Sequence, residues 1–186
     1  MAILPITQYG DEILDKKTVP VNKIDHKIVE LISDMFDTMG HADGIGIAAN
    51  QVGSNKSIFV IDVSEVKGYE HLKKLICINP KIVFRSPEKI PMEEGCLSLP
   101  GIRSEVIRPK SIKIDYKNLE MKPQTLEADE LVARVIQHEY DHLQGTYFTD
   151  RVTDEKKKEI KELLLKVKNR EMNPDYPITP KQKNKK

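Results

Sequence analysis

The chain has 186 residues, 39% apolar and 32% charged, with no tryptophan and a formal net charge of +1. That length suits one domain with its own hydrophobic core, and no apolar run approaches the roughly 18 residues of a membrane span. A balance so near neutral gives no reason to expect specific DNA binding, although the charge is uneven: residues 151–186 carry 12 Lys/Arg against 6 Asp/Glu, a net of +6, and residues 1–150 carry −5.

The opening "MAILPITQYGDEILDKK" has neither the basic start and apolar block of a signal peptide nor the arginines of a transit peptide. A cytoplasmic location is expected. The first helical pattern starts at Asp25, a suitable N-cap, with Ile28, Leu31, Ile32, Met35, Phe36 and Met39 on one face. Gly40 stands where a helix-ending glycine would. The loop "GHADGIGIAANQVG" follows. "SIFVID" (57–62), "LICINPKIVF" (75–84) and "SIKIDYK" (111–117) read as strands, and "MKPQTLEA" (121–128) as another. Cys77, inside "LICINP", reads as a core thiol.

Asp129 is expected to cap a second helix that Gly145 ends. Leu131, Val135, His138 and His142 share one face of it. A third helix is expected from about 154 to 170, with Ile160, Leu163, Leu164 and Val167 as its stripe. The expected fold class is α+β, with antiparallel sheets packed around a central metal-binding helix and with an N-terminal and a C-terminal helix. Residues 1–170 are expected to form a single domain, and 171–186 a flexible basic tail.

Three stretches carry chemistry. "HEYDH" (138–142) fits H-E-x-x-H. The two imidazoles, four apart, can grip one metal ion, and Glu139 can serve as a general base on water. An inward-facing histidine pair without a partner would carry a polar cost of a few kcal/mol, which a metal removes. The third ligand stays open on spacing alone. Glu155, Glu159, Glu162 and Glu171 all follow, while Cys96 in "MEEGCLSLP" offers a thiolate, a strong ligand for a borderline-soft ion. "GIGIAANQVG" (44–53) contains G-x-G-x-x-A, but a helix precedes it and no βαβ unit follows, so it does not read as a dinucleotide site. Its glycines expose backbone to a ligand, and Gln51 adds an amide donor.

Together, "GIGIAANQ", "EGCLS" and "QHEYDH", in that order, resemble the three motifs of the peptide deformylases. The likeness extends through "ILPI", "INP" and "GTYFTDRV", about residues 3–152. It implies Cys96, His138 and His142 as ligands of one divalent metal, Fe²⁺ in the typical member, with Zn²⁺, Ni²⁺ or Co²⁺ able to replace it. It implies removal of the formyl group from the formyl-methionine of nascent peptides. Water activated at the metal would attack the formyl carbon, with Glu139 as general acid and base. Gln51 and the Leu97 N–H would hold the oxyanion. The substrate main chain would lie along Ile45 and Gly46, its methionine near Leu131 and Val135, and Arg103 would meet the peptide beyond. Arg134 stands where an apolar residue is common and is expected to edge the pocket.

The C-terminal helix and tail resemble those of a bacterial subgroup that docks on the ribosome near the nascent-chain exit, and their positive charge suits ribosomal RNA. Two other readings compete: a zinc endopeptidase, which needs only H-E-x-x-H, and a non-catalytic ribosome-bound metal module.

Overall fold

Helix α1 (His26–His41) starts where its cap predicts: the Ile28 N–H donates to Asp25 Oδ1 at 3.0 Å. Its end differs from the expectation. Gly40 stays helical, Ala42 is the C-cap, and Asp43 takes the left-handed turn at φ 52°. Asp43 N–H bonds Gly40 O and Gly44 N–H bonds Met39 O, which closes the helix in a Schellman pattern. A short aspartate tolerates that conformation, so Gly40 is not needed for it. The computed structural model from which this is read describes residues 2–181.

Among the described residues seven strands follow, with β1 (Gly46–Ala48), β2 (Ile58–Ile61), β3 (Leu75–Arg85), β6 (Ser111–Lys117) and β7 (Pro123–Asp129) forming one antiparallel sheet in the order β1-β2-β3-β6-β7. β4 (Lys89–Cys96) and β5 (Leu99–Pro109) form a separate antiparallel pair. A bulge breaks the β3–β6 register between Ile78 and Lys81. Pro80 has no N–H to donate there, and Asn79 sits at φ 51° with its amide bonded to both the N–H and the carbonyl of Val21.

The five-stranded sheet is covered on both faces, so β2 is apolar throughout and buried at every position. Phe59, Ile61 and Cys77 pack with Ala133, Val135 and Ile136 of helix α2 (Glu130–Leu143). Ile58, Val60 and Ile78 pack with Ile28, Ile32 and Met35 of α1. Helix α3 (Asp154–Asn169) buries Ile160 and Val167 beside Leu99, Ile102 and Val106 of β5. This is an α+β fold around the histidine-bearing helix.

Asp129 does not cap α2 with its side chain. It still pairs with Ser111 in the sheet, and the chain turns at Glu130, φ 45°, whose N–H bonds Lys110 O at 2.9 Å. The other end of α2 is as expected, with Gly145 left-handed at φ 73° and Thr146 N–H on Asp141 O.

The tail is corrected for residues 171–181. Ile6 N–H donates to Pro177 O at 2.8 Å and Thr179 N–H to Ile6 O at 3.0 Å, so this segment lies against the body. Residues 182–186 of the expected tail lie outside the described residues. Among the described residues no helix is long and apolar enough to cross a membrane.

Candidate metal centre

Helix α2 packs on β1, and its side chains bond to Glu94 of β4. This brings His138 and His142, one helical turn apart, to Cys96 at the last position of β4. The three candidate ligand atoms lie within 4.8 Å of one another. Cys96 Sγ is 3.2 Å from His142 Nε2. Glu155, Glu159, Glu162 and Glu171 are all exposed, on or just after α3, which packs on β5 instead. The third candidate donor is therefore the thiol.

His138 is oriented from behind. Its Nδ1 lies 2.9 Å from Glu94 Oε2, which turns Nε2 toward the cysteine. Glu94 is buried, and two arginines hold it. Arg108 donates to both oxygens at 2.6 and 2.9 Å, and Arg134 donates to Oε1 at 2.7 Å. Burial by itself raises the Glu94 pKa, but the bonds from His138 and Arg108 outweigh it and hold the carboxylate well below the usual range. Arg108 also donates to Asp141 Oδ2 at 2.5 Å, and Arg151 grips the same carboxylate. Arg134 edges the cavity as expected, and its guanidinium is buried on Glu94, Val106 O and Ile90 O, so that it also supports His138 through Glu94.

The donor set fits a divalent transition ion. Burial lowers the His142 pKa, with His138 adding to it, so that imidazole is neutral as a ligand must be. Burial also works against a proton on His138, yet bonds to Cys96 and Glu94 raise its pKa well above the ordinary value. The thiol and carboxylate that favour a proton there would equally favour a cation. A sulfur and two nitrogens suit iron, zinc, cobalt or nickel over the oxygen-seeking magnesium and calcium.

Glu139 lies on the cavity side of α2. Its Oε2 is buried without a hydrogen-bond partner among the described residues. Burial pushes its pKa up to about 7, with His138 opposing the rise. Gly46 makes room for it: a Cβ there would come within 2.6 Å of Glu139 Oε1 and 2.8 Å of Val135 Cγ1. Gln51, in a 3-10 turn after β1, is fixed by Ala48 N–H on its Oε1 at 2.8 Å. Its Nε2 then faces Ser98 Oγ at 3.2 Å and Cys96 Sγ at 3.5 Å.

A cavity of about 650 Å³ opens onto this centre. Ile45, Gly46, Gln51, Cys96, Leu97, Arg103, Leu131, Val135, His138 and Glu139 all line it, and His142 lies behind them. Arg103 is at the exposed rim, 3.5 Å from Glu93. The Ile45 carbonyl accepts the Asp62 N–H at 3.1 Å. Sequence reasoning missed Glu94, Arg108 and Asp141 as supports, though "MEEGC" placed Glu94 two residues before the thiol. It also missed the cavity wall formed by Met172–Tyr176.

A sulfur-and-imidazole donor set, a buried carboxylate beside it and an open cleft fit the class of metal-dependent hydrolases. Comparison with known proteins narrows the class. The family model described as Polypeptide deformylase matches residues 3–158. A peptide deformylase of Chlorobaculum parvum is 42% identical over 178 residues, covering 96% of this chain and 95% of that one. A crystal structure of an Arabidopsis thaliana peptide deformylase with an inhibitor superposes with a TM-score of 0.84 at 39% identity, over 90% of this chain and 92% of that one. That of Ehrlichia chaffeensis gives 0.82 at 36% identity, over 91% and 97%. The chain belongs to the polypeptide deformylase family.

Proposed function

We propose that this protein hydrolyses the N-terminal formyl group of formyl-methionyl nascent polypeptides, releasing formate. The observation that carries the reading is the placement of an unpartnered, buried Glu139 beside the Cys96–His138–His142 cluster, at the base of an open cleft. Cys96, His138 and His142 would hold one divalent metal, Fe²⁺ as the assigned ion, with Zn²⁺, Ni²⁺ or Co²⁺ as substitutes. When bound, it supplies Lewis acidity and lowers the pKa of water to near neutral.

The chain's own groups do the rest. Glu139 takes the proton of the attacking water and returns it to the departing amine. Gln51 Nε2 and the Leu97 N–H are the donors assigned to the oxyanion, each worth about 2.7–4 kcal/mol of barrier if it acts as such donors commonly do. β1 is the edge strand of its sheet, so an extended substrate can add to it along Ile45 and Gly46. Val135 and Leu131 then offer an apolar wall to the methionine side chain, and Arg103 stands at the exit for the residues beyond it.

The location assigned is the cytoplasm, with the ribosome as partner. The exposed lysines of α3, Lys158 and Lys161 among them, support that docking through ribosomal RNA. Ribosome affinity that did not fall in the Lys158→Glu, Lys161→Glu double variant would refute it.

The primary test is formate release from a formyl-Met peptide by anaerobically purified protein with its metal counted. Glu139→Gln is expected to keep the metal and lose about 10²–10⁴-fold in rate. Cys96→Ala is expected to lose the metal. A Glu139→Gln protein as active as the parent would overturn the mechanism, and cleavage of internal, unformylated peptides would point to an endopeptidase.

A further inference from the structure

The segment 170–179 has no part in the chemistry above, yet it is anchored at both ends to one buried carboxylate. Arg170 Nη2 donates to Asp11 Oδ1 at 2.5 Å, and Thr179 Oγ1 donates to Asp11 Oδ2 at 2.8 Å. Asp11 is 2% exposed. Arg170 Nε closes the loop on Thr179 O at 2.8 Å. Between the anchors Met172–Tyr176 line one wall of the cavity. Met172 seats over Gly101, where a Cβ would come within 2.8 Å of Met172 Cε. Tyr176 then reaches inward, and its hydroxyl donates to Leu97 O at 2.8 Å.

Leu97 separates the ligand Cys96 from Ser98, the hydroxyl that receives Gln51 Nε2. Peptide units are rigid, so the Leu97 N–H and C=O are related only through the φ and ψ of that residue. Cys96 fixes the unit on one side. The Tyr176 hydroxyl fixes the unit on the other, with Gln8 Nε2 as a longer second donor at 3.2 Å. The half-buried tyrosine ring would pack equally well without its hydroxyl; the directed bond requires it.

We propose that Tyr176 is a positioning residue of the site: carried on the clamped C-terminal strap, its hydroxyl locks the Leu97 backbone so that the Leu97 N–H stays aimed into the cavity. The inference rests on the deformylase reading for what that N–H does.

The test uses the metal-loaded full chain and two measurements, formate release and amide hydrogen exchange of peptides spanning 96–99. In Tyr176→Phe, kcat is expected to fall about tenfold with KM within about twofold, less than the loss of a direct oxyanion donor. Exchange at 96–99 should quicken while metal content and exchange of α2 hold. Thr179→Val loosens the clamp without touching Leu97, and smaller changes in the same direction are expected; it decides alone if Tyr176→Phe does not fold. Parental kcat and parental exchange in these variants, or a rise in KM alone, would reduce the strap to a wall and overturn the proposal. A parent protein that released no formate would refute the deformylase reading instead, and exchange at 96–99 would still decide whether Tyr176 holds Leu97.

Discussion

Gly46 joins the edge strand to the buried acid. Any side chain there would meet Glu139 Oε1 at 2.6 Å, and the neighbouring Val135 blocks the alternative. Gly46→Ala must displace the carboxylate or the strand. A shift of the order of 1 Å in a reacting group costs about 100-fold in rate, so a loss of that order in formate release is expected, with metal content unchanged. A parental rate would show that Glu139 has more room than its burial indicates. At this scale much was legible. The order of "GIGIAANQ", "EGCLS" and "QHEYDH" pointed to the thiol as third ligand, where histidine spacing alone left four glutamates open. The partners of Arg134 were not legible. Its role depends on which way a long side chain turns, and a helix position does not state that.

Among the elements, β5 makes the firmest link. It alternates Ile102, Ser104, Val106 and Arg108 inward with Arg103, Glu105 and Ile107 outward. Two of the four inward residues are polar, which hid its period from a reading based on apolar alternation. Its partner β4 carries Glu93, Glu94 and Pro91 and shows no apolar alternation either. Yet Arg108 of β5 joins Glu94 of β4 to Asp141 of α2, and so holds His138 from behind. Removing one member of such a buried set leaves uncompensated charge. Arg108→Leu is expected to cost about 3–5 kcal/mol, read as a lower denaturation midpoint at constant m-value, and to loosen metal binding. Unchanged stability would mean the carboxylates find other partners. Helix α1, by contrast, was legible to its first residue, because capping and a 3.6-residue stripe are settled within a few neighbours.

For the molecule as a whole, the site is assembled from its two ends and its middle. β1 and Gln51 arrive before residue 60, Cys96 from β4, the histidines from α2, and the outer wall from residues beyond 170. A ligand that binds only the folded state stabilises it in proportion to the logarithm of its concentration over Kd. Chelation of the loaded protein is therefore expected to lower Tm and stop formate release together. Both should return on adding back Fe²⁺ or Zn²⁺. Cys96→Ala should show no such difference, and melting curves that coincide with and without chelator in the parent would argue against a bound metal.

By itself the sequence determined the helices, four of the strands, the core thiol Cys77 and the α+β class, each from patterns that a few adjacent residues complete; only the resemblance of three distant motifs to a family implied Cys96, His138, His142, Glu139 and Gln51 as one site. Only the tertiary structure decided that Glu94, Arg108 and Asp141 stand behind His138, that the Arg134 guanidinium at the cavity's edge is held by Glu94 and two carbonyls, and that residues 171–181 form a strap instead of a free tail. The Asp11–Thr179 bond joins residues 168 apart in the chain. Such pairings depend on loop closures and on sheet order, and a charged side chain looks the same in sequence whether solvent or a buried counter-ion awaits it.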